Sequence, residues 1–250
     1  MKDFFNAFPQ PQHAIDLFEG EWSSQFPAQF GVDSKGHAKL FEDPNLKWAW
    51  EQVGEAGANV LELGPLEGAH SYMLEQLGAG RITAVEARSS AYLKCLVTKE
   101  VVGLTKSQFL LGDFLEYLET ESRQHDIAFA SGVLYHMPDP VRLLELLSQR
   151  ADRLYLWTVI QDDYEKTEVS KVITVVPKAR NWRGLEFNQF EHYYGQAKDW
   201  EGFCGGELEY GCRLELDTIL RIVEILGFSR VNTKVDENPH GKALCLACSR

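Results

Sequence analysis

The chain has 250 residues, a hydrophobic fraction of 44% and a formal net charge of -12, which excludes a disordered chain and suits one α/β domain with a small appended segment. So acidic a balance, with no Lys/Arg cluster, argues against nucleic acid, because neutralising phosphates supplies most of a nucleic-acid binder's affinity. Met1-Lys2-Asp3-Phe4 lacks the apolar run of a signal peptide, no stretch approaches the roughly 20 apolar residues of a membrane helix, and five scattered cysteines fit reduced thiols, so a cytoplasmic protein with no membrane partner is expected.

Residues 1–56 are rich in aromatics, among them Phe4, Phe5, Phe18, Trp22, Phe26, Phe30, Trp48 and Trp50. They are expected to form an N-terminal helical cap on one end of a sheet, and their apolar character offers a surface for a homodimer. From residue 57 onward short apolar runs alternate with helical patterns. Strands are expected over 59–63 (NVLEL), 81–87 (RITAVEA), 108–111, 126–130 (DIAFA) and 153–160 (RLYLWTVI), with helices over 69–77, 91–101, 114–118 and 141–150 between them. Strand–helix units at this spacing imply a parallel sheet with helices on both faces. Residues 161–212 are polar, aromatic and poorly periodic, and an insertion of that length suits a lid over a ligand. A helix over 216–226 follows, with Gly227 where a C-cap is expected. Strands over 228–235 and 243–248 close the pattern, joined by the turn-rich 236–241. The expected fold is therefore α/β: a doubly wound, mostly parallel seven-stranded sheet with a C-terminal antiparallel hairpin. Cys245 and Cys248 have redox-like spacing, but residues three apart on a strand point to opposite faces, so both are read as structural.

In doubly wound sheets ligands sit at the C-terminal ends of the strands. Those ends carry Glu62, Glu86, Asp113, and Ser131 with His136, one strand–helix unit apart at each step. Gly64 permits a tight turn, and Gly68 lets the next helix begin against a ligand. Glu86, about twenty residues past the glycines, suits ribose hydroxyls. Asp113-Phe114 offers a carboxylate to an exocyclic amine and a ring beside adenine. Glu62 sets negative charge near a ligand that carries ammonium and sulfonium groups. A pyrophosphate would want a third glycine, since any side chain blocks the phosphate. Leu66 stands at that middle position, and Glu67 would add negative charge beside an anion. The loop therefore turns away from dinucleotides, and from dehydrogenases, toward a sulfonium cofactor.

Residues 59–135, with Glu62-Leu63-Gly64-Pro65-Leu66-Glu67-Gly68 as their first motif, resemble the class I, Rossmann-like S-adenosylmethionine-dependent methyltransferases. The helix–strand–strand ending extends the likeness over 59–250, the insertion excepted. The departure from the family's acid-x-Gly-x-Gly-x-Gly pattern is Leu66. The resemblance implies a Rossmann-like domain over 57–250, S-adenosyl-L-methionine as cofactor and S-adenosyl-L-homocysteine as its product. It would set Glu62, Gly64 and Gly68 around the methionine part, Glu86 at the ribose, and Asp113 with Phe114 at the adenine. Pro65, Ala87, Gly112 and Ser131 complete the cofactor-binding set.

The fourth strand runs into Ser131-Gly-Val-Leu-Tyr-His-Met-Pro-Asp-Pro140. Asp139 suits the N-cap of the next helix and Pro140 its first turn. Tyr135 and His136 lie on the rim beside the expected methyl group. A neutral His136 there can take a proton from an acceptor, an effect worth about 10²–10⁴-fold; the alternative is a ring that only shapes its loop. Tyr135 is read as a contact to cofactor or acceptor. Within the insertion, 187–194 (FNQFEHYY) with Trp182 and Arg183 reads as an aromatic lid, and His192 is a second candidate base. His125-Asp126 and Glu191-His192 lack the i, i+4 spacing of helical metal ligands, so they are read as surface or loop residues and no metal is expected. The leading reading is methyl transfer to a small-molecule acceptor at oxygen, nitrogen or carbon. Gly132-Val-Leu-Tyr-His136 also resembles enzymes that alkylate the wobble uridine of transfer RNA with a carboxylated cofactor. An RNA methyl- or carboxymethyltransferase is thus the runner-up, and a non-catalytic S-adenosylmethionine-binding protein the third.

Overall fold

The structure is a computed structural model that describes residues 4–162, 174–199, 205–238 and 241–250. The chain divides into two units, Met1–Phe114 and Leu115–Arg250. The first begins with α1 (Gln12–Ile15), 3-10 turns at Asp16–Phe18, Ala28–Phe30 and Leu40–Glu42, and α2 (Pro44–Val53). Outside α1 and α2 this segment is 3-10 turn and irregular chain. Its aromatics explain that, because Phe18, Trp22, Phe26 and Phe41 converge with Ile15 and Ala69 into one apolar cluster instead of lining a helical stripe. Asp43 caps α2 by accepting from Asn45 N at 2.8 Å, and Pro44 occupies the first turn.

The strand–helix pattern follows as β1 (Asn59–Leu63), α3 (Ala69–Gln76), β2 (Arg81–Glu86), α4 (Ser89–Val102) and β3 (Ser107–Leu111). β1 pairs parallel with β2 from Asn59↔Arg81, and β2 with β3 from Ile82↔Ser107. Apart from their first residues, β1 and β2 are buried throughout, as parallel strands covered on both faces are.

The second unit follows α5 (Phe114–Thr120) with β4 (His125–Ser131), α6 (Pro140–Arg150) and β5 (Ala151–Val159). As expected, Asp139 caps α6, accepting from Arg142 N at 3.0 Å. The insertion departs from expectation. Its described parts form β6 (Thr174–Trp182), β7 (Leu185–Tyr193) and β8 (Tyr210–Arg213), an antiparallel sheet rather than a loop; 163–173 and 200–204 lie outside the described residues. Arg183 and Gly184, with φ 49° and 83°, form the two-residue connection between β6 and β7, and paired left-handed residues match the twist of a hairpin. Then come α7 (Leu216–Ile225), β9 (Arg230–Asn238) and β10 (Gly241–Ser249).

The main sheet has seven strands in the order β3-β2-β1-β4-β5-β10-β9, and the second sheet the order β6-β7-β8. β10 runs antiparallel to both β5 and β9, which makes the closing hairpin. Cys245 and Cys248 on β10 are buried and not joined in a disulfide, and burial pushes the Cys248 thiol up to about 12. Among the described residues no helix is long and apolar enough to cross a membrane.

Candidate active site

In the first unit the chain leaves β1 at Leu63 and bends through Gly64-Pro65-Leu66-Glu67-Gly68 before α3. Gly64 N donates to Val85 O at 2.9 Å and Gly68 N to Pro65 O at 2.9 Å. Gly68 has φ 80°, and a Cβ there would come within 3.2 Å of the Phe109 ring, so conformation and space both select glycine. The middle position is more telling. Leu66 adopts φ 56°, a left-handed conformation that costs a side-chain-bearing residue about 1–2 kcal/mol. The loop thus keeps the backbone path a glycine would take while presenting a leucine.

Glu86 holds that path. Its Oε2 accepts from Leu66 N at 3.1 Å and its Oε1 from Arg88 N at 2.9 Å. Burial pushes its carboxyl above the ordinary range, against those backbone hydrogen bonds. Glu62, 2% exposed, accepts from Ser71 Oγ of α3, and burial raises it likewise. Among the described residues neither makes an ion pair with Lys or Arg. Gly112 N donates to Glu86 O at 2.9 Å, which ties the end of β3 to that of β2. Asp113 and Ala87 are exposed, Pro65 and Phe114 buried.

Glu67 corrects one step of the sequence argument. Its carboxylate accepts from Ser23 N, Ser24 N and Lys94 Nζ, so its charge is matched by Lys94 and does not set which ligand the loop prefers.

In the second unit β4 ends at Ser131, Gly132 N donates to Trp157 O at 2.9 Å, and a 3-10 turn covers Leu134–His136. The Tyr135 ring lies 4.1 Å from that of His136 and edge-on to Trp157 at 6.1 Å. His136 Nδ1 is 3.0 Å from Tyr194 Oη, while its Nε2 is buried without a hydrogen-bond partner among the described residues. β8 comes close behind: a Cβ on Gly211 would meet Tyr135 O at 2.3 Å and Tyr194 Oη at 2.5 Å. Cys212 N donates to Met137 O at 2.9 Å. The insertion and the loop after β4, two separate candidates from sequence, are therefore one structure here. Tyr194 had appeared only inside an aromatic string, and no spacing rule couples it to a histidine so distant in sequence.

Burial, assisted by Arg213, lowers His136 to about 4 and His192 to about 3, so both rings are neutral at pH 7. His192 sits on β7 with Nε2 2.8 Å from Gln161 Oε1. His192 and His125, expected at the surface or in loops, are instead buried strand residues. Among the described residues no group of His, Cys, Asp or Glu could hold a metal ion.

Residues 61–150 match the family described as a methyltransferase domain. A tRNA U34 carboxymethyltransferase of Alteromonas mediterranea is 26% identical over 132 residues, a match that takes in 48% of this chain and 40% of that protein. Among solved structures, the N-terminal domain of EvdMO1, crystallised in the presence of SAH and D-fucose, superposes with a TM-score of 0.68 at 19% identity, over 96% of this chain and 94% of that one. Magnesium protoporphyrin IX methyltransferase (ChlM) from Synechocystis PCC 6803, with bound SAH, gives 0.57 at 17% identity over 82% and 80%. The strand order and the closing hairpin give this chain the Rossmann-like fold of those solved structures, and residues 61–150 within it are similar to the methyltransferase-domain family.

Proposed function

We propose that the protein transfers the methyl group of S-adenosyl-L-methionine to a small-molecule acceptor. The observation that carries this reading is the pair Glu62 and Glu86, buried carboxylates flanking the loop with no Lys or Arg ion pair among the described residues. Such groups are costly to bury, and a ligand bearing ammonium and sulfonium charges relieves the cost, so the residues fit this cofactor. In this reading Glu62, Gly64, Pro65 and Gly68 hold the methionine part, Glu86 and Ala87 the ribose, and Gly112, Asp113 and Phe114 the adenine. The bound cofactor supplies an electrophilic methyl carbon.

On the acceptor side, His136 Nε2 takes the proton that an attacking hydroxyl or amine gives up. That requires the hydrogen of the neutral ring on Nδ1, donated to Tyr194 Oη, the partner it has at 3.0 Å. Tyr135 positions the acceptor. His192, occupied by Gln161, serves to hold β7 rather than to move a proton. The β6–β8 sheet serves as the acceptor-side wall. Calorimetry of the full chain with S-adenosylmethionine and S-adenosylhomocysteine tests the first half, and folded protein that binds neither overturns it.

A second reading is favoured by the carboxymethyltransferase relative and by the Gly132–His136 string: an RNA alkyltransferase. Affinity for transfer RNA that falls steeply with salt would support it, and the net charge of -12 weighs against it.

A further inference from the structure

The first unit contains a second polar cluster that the cofactor reading leaves unused. Glu67 lies inside the cofactor loop, 1% exposed, yet its carboxylate is engaged by the N-terminal segment. Oε1 accepts from Ser23 N at 2.9 Å and from Lys94 Nζ at 3.0 Å, and Oε2 from Ser24 N at 2.7 Å. Lys94, on α4, also donates to Glu21 O at 2.7 Å and stands 5.7 Å over the Trp22 ring. The receiving segment is closed on itself. Ser23 O accepts from His37 N and Ala38 N, Ala38 O accepts from Gln25 N, and Ser34 Oγ donates to Ser24 O. A Cβ on Gly36 would meet Ser24 O at 2.3 Å, so this closure needs glycine. Two consecutive backbone N–H groups on a fixed loop make an anion-binding concavity, and the anion they bind is a side chain of the cofactor loop.

We infer that Glu67 is a positioning residue for cofactor binding, fastening residues 21–38 to the cofactor loop so that their docking and the binding of S-adenosylmethionine form one coupled event. The inference rests on the cofactor reading above. Leu66, left-handed without being glycine, keeps its conformation only while its surroundings over-determine it. Glu86 holds its N–H on one side. The next residue, Glu67, reaches Ser23 and Ser24 only while the Leu66–Glu67 backbone keeps this turn. With the segment undocked, the loop loses that anchor and Lys94 loses two partners together, the Glu21 carbonyl and the Trp22 indole, leaving it only the Glu67 carboxylate of the three. Coupling of this kind is reciprocal, so whatever fixes the loop also fixes the segment.

The test uses the full chain, S-adenosylhomocysteine as probe, and two readouts: calorimetry, and amide hydrogen exchange over residues 22–26. In the wild type the probe should slow exchange at Ser23 and Ser24. Glu67→Gln should bind the probe about tenfold more weakly, within the 5–150-fold usual for coupled sites, and should lose that slowing. A merely structural role would lower the melting temperature without making these two amides respond to the probe. Wild-type protein that binds the probe with exchange unchanged overturns the inference, and this arm needs no variant should Glu67→Gln fail to fold. Wild-type affinity in a Glu67→Gln protein whose amides have become exposed overturns it too. Wild-type protein that does not bind the probe at all overturns the cofactor reading itself, and the inference with it.

Discussion

In the first unit the buried titratable groups at the candidate site are carboxylates, Glu62 and Glu86, pushed up by burial; in the second they are imidazoles, His136 and His192, pushed down to about 4 and about 3 by burial and by Arg213. The same desolvation works in opposite directions on the two kinds of group, because it opposes whichever form carries charge. The consequences differ. A buried carboxylate with no Lys or Arg ion pair among the described residues is stabilised by an incoming cation, whereas a neutral buried imidazole keeps a lone pair for a proton. The first region is suited to a positively charged donor, the second to a neutral nucleophile.

The largest expected effect breaks this division of labour at the acceptor side. His136→Ala should lower turnover by about 10²–10⁴-fold while S-adenosylhomocysteine affinity stays at the wild-type value. A fall in affinity large enough to account for the lost turnover would mean that His136 belongs to the cofactor side. Glu86→Ala should do the reverse. It frees the Leu66 and Arg88 N–H groups that fix the loop and removes an acceptor for the bound cofactor, worth about 1–3 kcal/mol, so calorimetry should record a loss of roughly 10–100-fold in cofactor affinity; an unchanged dissociation constant would remove Glu86 from the site.

A smaller effect sharpens the comparison. The folded-state pKa of Glu62 is raised, so its contribution to stability is full at low pH and is lost as pH rises through the folded value. Glu62→Gln escapes that loss and can still accept from Ser71 Oγ. Its melting temperature at pH 7 should exceed that of the wild type by ~2–4 °C, corresponding to ~1 kcal/mol in a chain of this size. The gap should close toward pH 4, and cofactor affinity should fall at neutral pH. A variant less stable than the wild type at pH 7 would show that the Glu62 charge is already compensated in the free protein.

The smallest effect concerns pH. With His136 lowered to about 4, the acid limb of turnover should fall near pH 4 rather than near 6.5, and Arg213→Gln should move it upward by a fraction of a unit. An acid limb that stays at 6.5 would separate His136 from proton transfer. The stability of the buried rings follows the same sign: their contribution is present above about 6.5 and is lost as pH falls toward the folded values.

Much of the main sheet was legible before any coordinates. The runs at 59–63 and 81–86 have apolar centres flanked by the polar Asn59 and Arg81 and the buried Glu62 and Glu86, Asp139-Pro140 is a helix start, and Gly227 takes φ 93° just past α7. The three-stranded sheet was not legible. Its strand β7 is only patchily buried, so hydrophobic alternation is weak, and its turn places an arginine at a left-handed position where asparagine or glycine would have signalled a hairpin. At the cofactor loop the acids and glycines could be read by spacing, but the partners of Glu67 could not. Two of them are backbone N–H groups of Ser23 and Ser24, and a backbone donor leaves no mark on composition or spacing. Tyr194 was missed for a related reason, since its partner His136 lies 58 residues away.

The position of β10 bears on how the chain is made. In the first unit each strand pairs with its neighbour in sequence, so that part of the sheet can close as it leaves the ribosome. In the second, residues 153–159 of β5 find their antiparallel partners only at 243–249, and β10 is buried along nearly its whole length. Until that strand emerges, β5 carries an open apolar edge, the feature that recruits other chains into aggregates. A premature stop before residue 241 is therefore expected to give insoluble protein rather than a soluble, inactive one.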